Sequence, residues 1–146
     1  LLPLARLYNL ERELDQALQE KIWLKSGGFL IIQQTEAFVA IDVNTGKHSS
    51  KKDAEENYKQ INREAALEIA RQLRLRNLSG MILVDFINMK NTNDQSELLQ
   101  YMGSLVRSDP MQTVVVDVTA LGIMEITRKK SAKTLAEQLL QLKKGE

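Results

Sequence analysis

Two apolar runs, each carrying an aspartate near its end and separated by one long helical stretch, constrain this chain more than any other feature. Phe38–Val43 of "FVAIDVNTGK" and Met81–Phe86 of "GMILVDFINM" are short, rich in β-branched residues and bounded by polar loops, as strands are. Between them, from Asp53 to about Arg76, the residues Tyr58, Ile61, Ala65, Ile69 and Leu73 recur at helical spacing. A strand, a helix and a second strand in that order are expected to form a parallel pair through a right-handed crossover. Parallel neighbours end on the same edge of a sheet, which is the edge where α/β sheets build their sites. Asp42 and Asp85 are therefore expected to converge.

The remaining pattern extends this unit. Asn9–Lys21 carries Leu10, Leu14, Ala17 and Leu18 on one helical face, and "SGG" then breaks the chain. Phe29–Gln34 and Ala37–Val43 flank Thr35-Glu36, which predicts a hairpin. Asp53 or a neighbour is expected to cap the long helix. A further helix is predicted from Gln95 to Arg107, strands over Thr113–Thr119 and Ile123–Arg128, and a closing amphipathic helix over Ser131–Lys144. The expected fold class is α/β, a layered mixed sheet with flanking helices. The 146 residues suit a single domain able to bury its own core.

Composition excludes several chemistries. The chain has no cysteine and one histidine, His48, so disulfides and Cys- or multi-His metal sites are ruled out. A metal held here would be held by oxygen, which points to magnesium, manganese or calcium. The net charge of +1 gives no global field for a polyanion, although basic residues cluster in "RQLRLR" and "TRKKSAK". There is no stretch of membrane-span length and no signal peptide, so a cytoplasmic location is expected. The "LLPLAR" start, without Met, suggests a piece of a longer protein.

Paired carboxylates need neutralising, because each raises the pKa of the other unless a cation intervenes. Asn44 lies two residues from Asp42, and residues two apart in a strand share a face, so the two could reach one ion together. Magnesium takes one or two protein carboxylates and leaves its other positions to water and phosphate oxygens, which suits phosphodiester chemistry. An aspartate at a strand end also caps loops and helices, and on the residues alone that reading stands beside the metal one. "NTGK" lacks the glycine spacing of a P-loop, which leaves Lys47 as a loop lysine or a phosphate contact. His48 reads as a surface loop residue. "TRKK", with Arg128 and Lys129, reads as a solvated run or a backbone-phosphate contact. Trp23 and the phenylalanines are scattered along the sequence and predict no base-stacking platform.

The segments "WLKSGGFLIIQQTEAFVAIDVNTGK", "NREAALEIARQLRLRNLSGMILVDFINM" and "VTALGIMEITRKK" resemble, in order, the bacterial RNase E/G endoribonucleases, from about Leu7 to Lys133. The resemblance implies the DNase I-like catalytic subdomain of that family. It implies that Asp42 and Asp85 hold a magnesium ion, with manganese as the alternative, and that Asn44 helps orient the attack. Lys47, Arg128 and Lys129, from the residues themselves, are the candidate RNA contacts. The reaction the resemblance implies is hydrolysis of phosphodiesters in single-stranded RNA, leaving a 5′-phosphate and a 3′-hydroxyl.

Ala120 stands where the family often has a basic residue. The family's OB-type RNA-binding domain, 5′-end sensor, RNase H-like subdomain and zinc link have no match in these residues. The piece alone is accordingly expected to be monomeric and to cleave RNA poorly, while the parent enzymes are expected to be homo-oligomers. A noncatalytic RNA-binding or protein-interaction domain is the alternative from another class. A DNase or phosphatase of similar fold is the rival enzyme, and the single histidine argues against it.

Overall fold

The structure, a computed structural model, describes residues 3–46, 53–130 and 134–145, except for the side chains of residues 13, 16 and 17. Its elements in chain order are α1 (Leu4–Leu18), β1 (Lys21–Trp23), β2 (Phe29–Gln34), β3 (Val39–Asn44) and α2 (Ala54–Leu75). They continue with β4 (Gly80–Asp85), α3 (Thr92–Arg107), β5 (Thr113–Val118), β6 (Met124–Arg128) and α4 (Leu135–Lys144). The strands form one six-stranded sheet in the order β1-β2-β3-β4-β6-β5. β3 and β4 pair in parallel across α2, and the other pairings are antiparallel. The expected α/β layered fold is the one found.

Burial alternates strictly along the central strands, as a sheet covered on one face requires. Leu30, Ile32, Val39, Ile41, Val43, Ile82, Val84, Met124 and Ile126 face a single core. That core is closed by Ile61, Ala65, Ile69 and Leu73 of α2 and by Leu98, Met102 and Val106 of α3. Burying each of the larger side chains contributes roughly 1.5–3 kcal/mol. The intervening strand residues face outward, on the side away from α2 and α3.

α2 stops where the sequence "RNLSG" lets it. Asn77 takes a left-handed φ of 50°, which Asn tolerates better than most residues. The N–H of Leu78 then bonds back to the carbonyl of Leu73 at 3.0 Å, and Leu78 drops its side chain into the core. At the other end Asp53 occupies the cap position as expected, but its side chain makes no capping hydrogen bond.

Three differences from expectation have physical causes. Lys21, expected as the last residue of the first helix, instead opens an edge strand, Lys21–Trp23, that pairs with β2, and α1 ends at Leu18. α3 begins at Thr92 rather than Gln95 because the Asn91 side chain accepts from the N–H of Asn93 at 2.8 Å. Residues 131–133 of the expected closing helix lie outside the described residues; α4 begins after Thr134, whose hydroxyl accepts from the N–H of Glu137. Among the described residues no helix is long and apolar enough to cross a membrane.

Candidate active site

Asp42 and Asp85 are direct partners in the parallel register of β3 and β4, at the last rung of that pairing. Neighbouring strands lie about 4.8 Å apart, so the two carboxylates rise side by side from one face at the C-terminal edge of the sheet. The convergence expected from the crossover is therefore present. Its setting differs from the sequence reading in one respect. The apolar runs suggest acids set among core residues, yet both side chains are exposed on the outer face, because the alternation of the strand turns them away from the helices. Partial burial and the negative charge of Asp42 beside it push the Asp85 carboxyl above its ordinary pKa.

Asn44 follows Asp42 on the same face, and its Nδ2 donates to Asp42 Oδ2 at 3.3 Å. Its backbone is held from behind by the "SGG" turn between β1 and β2. A Cβ on Gly28 would lie 2.7 Å from the carbonyl oxygen of Asn44, and one on Gly46 would collide with the carbonyl oxygen of Gly27. Two glycines thus allow the turn to press against the segment that follows β3. The turn is in turn tied to α2, where Glu64 Oε2 accepts from the N–H of Ser26 at 3.1 Å.

The loop after Asp85 is fixed by a residue that sequence reasoning missed. Asn62 of α2 is fully buried; its Nδ2 donates to the carbonyl of Ile87 at 2.9 Å, and its Oδ1 accepts from the N–H of Ile87 at 3.0 Å. The available signal was an amide on the apolar stripe of α2, next to Ile61. Beyond this loop a cleft of about 570 Å³ opens beside Asp85, walled by Asn88, Gln95, Leu98 and the β5–β6 turn at Thr119–Gly122. Ala120 belongs to that wall. A second hollow, about 300 Å³, lies on the outer sheet face between Ile31, Ala40, Leu83 and the two acids.

The basic candidates fall elsewhere. β6 runs antiparallel to β4, so Arg128 pairs with Gly80, at the opposite end of β4 from Asp85. Five residues of strand separate the two ends, roughly 17 Å. Arg128 is also buried. Its Nε meets Asp109 Oδ2 at 2.8 Å, and its remaining nitrogens bond to Asp109 Oδ1, Asn77 Oδ1 and the carbonyl of Leu78. The RNA contact assigned to Arg128 is therefore corrected: its guanidinium is used up inside the fold. Lys129 is exposed but stands at that same far end. Lys47 and His48 lie outside the described residues.

The donor set suits a hard cation. Two carboxylates are oxygen ligands, Asn44 is bonded to one of them, and among the described residues no cluster of three or more acidic, histidine or cysteine side chains converges. Magnesium, which keeps water and phosphate oxygens in most of its positions, fits so sparse a set.

Fold and site together define an α/β domain with a paired-carboxylate sheet edge. Comparison with known proteins then places it. Residues 2–131 match the profile of the Ribonuclease E/G family. The chain is 40% identical over 137 residues to Ribonuclease G of Escherichia coli K12, a match covering 94% of this chain and 28% of that protein. It is likewise 40% identical to Ribonuclease G of Haemophilus influenzae over 94% of this chain and 28% of that protein, and 39% identical to Ribonuclease E of a Nostoc species over 92% and 20%. The chain belongs to the Ribonuclease E/G family, and it spans between a fifth and under a third of the length of these relatives.

Proposed function

We propose that this chain is the catalytic part of a magnesium-dependent endoribonuclease acting on single-stranded cytoplasmic RNA, hydrolysing it to a 5′-phosphate and a 3′-hydroxyl. The observation that carries the reading is the direct pairing of Asp42 with Asp85 at the sheet edge, with Asn44 bonded to the first. Family membership supports it independently, since the similar proteins are named as ribonucleases.

Asp42 and Asp85 would hold the ion from adjacent strands. When bound, magnesium offsets the like charge of the two acids and supplies Lewis acidity toward a phosphodiester. Asn44 steadies the carboxylate of Asp42 through its N–H, and its carbonyl oxygen remains available to accept a hydrogen bond from the attacking water. The buried amide of Asn62 keeps the loop after Asp85 from drifting, which matters because a small misplacement of reacting groups is costly in rate.

The test uses the full-length protein. Asp42→Asn and Asp85→Asn should each lower RNA cleavage by at least about a hundredfold, with circular dichroism and thermal unfolding unchanged in form. Undiminished cleavage by either folded variant would overturn the reading and leave a noncatalytic RNA-binding or interaction domain. A magnesium or manganese titration of the 146-residue chain, followed through the amides of Asp42, Asn44 and Asp85, checks the site itself.

A further inference from the structure

Trp23, Phe29 and Asn44 stand in one rung across β1, β2 and β3, each the direct cross-strand partner of the next. Directly opposed residues project to the same face of a sheet. The neighbouring rung on that face holds Lys21, Ile31, Asp42 and Asp85. Two aromatic rings, far apart in sequence terms from the acids, thus share a surface with them, about two strand spacings across (roughly 10 Å) and one rung along (roughly 7 Å).

The rings form a defined group. Their centroids are 5.2 Å apart at an interplanar angle of 58°, and the ammonium of Lys21 lies 4.3 Å from the centroid of Trp23 and 4.2 Å from that of Phe29. Trp23 remains 63% exposed on a three-residue edge strand, so most of its hydrophobic surface is unused by the fold. The hollow of about 300 Å³ lies on this face; Ile31, beside Phe29 on β2, forms one wall and Asp42 and Asp85 another. Aromatic faces and a cation, on the same sheet face as a phosphodiester-type site, are the combination that binds single-stranded nucleic acid: rings stack on bases and the ammonium meets the backbone.

We propose that Trp23 and Phe29, with Lys21, form a stacking site for a base of single-stranded RNA whose backbone continues across Ile31 to Asp42 and Asp85. The proposal rests on the nuclease reading above and extends it to a base-binding subsite. Stacking of this kind tolerates any base, because every base presents a π-face. The site therefore supplies affinity and strand direction, not sequence preference.

Trp23 is the only tryptophan, so its emission reports on this site alone. The 146-residue chain, in magnesium, is titrated with a short 2′-O-methyl oligoadenylate and with an abasic phosphodiester chain of the same length. The oligoadenylate should quench Trp23 emission saturably, and the abasic chain should not. In anisotropy of a labelled oligomer, Trp23→Ala should weaken binding roughly 5- to 150-fold while Trp23→Phe keeps most of the affinity. Shifts at the Asp42 and Asp85 amides with no change at Trp23 would overturn the stacking site and leave the nuclease reading intact. Quenching at Trp23 with silent acids would uphold the stacking site and count against the nuclease reading. Emission that changes with protein concentration and not with RNA would make the aromatic pair a protein contact and sink the proposal.

Discussion

Asn62 grips both the N–H and the carbonyl of Ile87 with one side-chain amide, at 3.0 and 2.9 Å, from a position with no solvent exposure. Ile87 lies two residues beyond Asp85, so α2 controls where β4 ends and where its loop turns away. The same helix carries the chain between the two acids. It therefore both connects them and fixes the loop next to the second.

Replacing Asn62 by Leu should cost about 1–3 kcal/mol, because the buried backbone groups of Ile87 lose their partners. Denaturant unfolding measures the loss, and amide hydrogen exchange at Ile87 should accelerate with it. A variant as stable as the parent, with Ile87 still protected, would show that another contact holds the loop.

Asp85→Asn should stabilise the chain slightly at neutral pH. The folded-state pKa of this carboxyl is raised by burial and by Asp42, so its stabilising share is present below the ordinary Asp pKa and is lost as pH rises through the raised value. The side chain is exposed and solvent screens the repulsion, so the expected gain is on the order of 1–2 °C in Tm. Scanning calorimetry at pH 7 should show the gain, and at pH 3 it should vanish. A loss of stability at pH 7 would mean that the carboxylate makes a favourable contact.

The Asp109–Arg128 pair should behave in the opposite sense. Burial works to raise the Asp109 carboxyl, but hydrogen bonds from Arg128, the N–H of Met111 and the Thr113 hydroxyl outweigh it and hold the pKa below the ordinary range. Its contribution is present above the ordinary Asp pKa and disappears as pH falls through the depressed value. Asp109→Asn leaves a buried guanidinium without its counter-charge and should cost about 3–5 kcal/mol at pH 7. Urea unfolding at pH 7 checks it, and a cost below about 1 kcal/mol would show that solvent reaches the pair.

Gly46→Ala and Gly80→Ala separate two kinds of strain. Both glycines have positive φ, 70° and 81°. Around Gly80 there is open space, whereas a Cβ on Gly46 meets the Gly27 carbonyl. Gly80→Ala should cost about 1 kcal/mol for its conformation alone. Gly46→Ala should cost clearly more and should shift the Asn44 side-chain resonances. Equal costs would indicate that the turn yields without disturbing Asn44.

Much of this architecture was legible because period-2 and period-3.6 patterns are local. The strand–helix–strand unit, the shared edge and the meeting of Asp42 with Asp85 follow from chain order and handedness alone. What was not legible depends on registers between distant segments. Trp23 and Phe29 look scattered until β1 is known to pair with β2, and β1 is too short to announce itself. Arg128 looks like one of a basic run until the antiparallel register of β6 places it over Asp109. The exposure of the two acids was hidden by apolar neighbours such as Val43 and Val84, whose side chains point the other way.

The parallel pairing of β3 with β4 has one more implication. It joins two antiparallel halves, β1-β2-β3 and β4-β6-β5, along a single seam. Asp42 and Asn44 belong to one half and Asp85 to the other, so a slight parting along that seam would dismantle the pair while leaving each half folded. A ligand that bridges the two acids acts as a clasp across the seam. Its occupancy would be felt as added cohesion of the whole sheet.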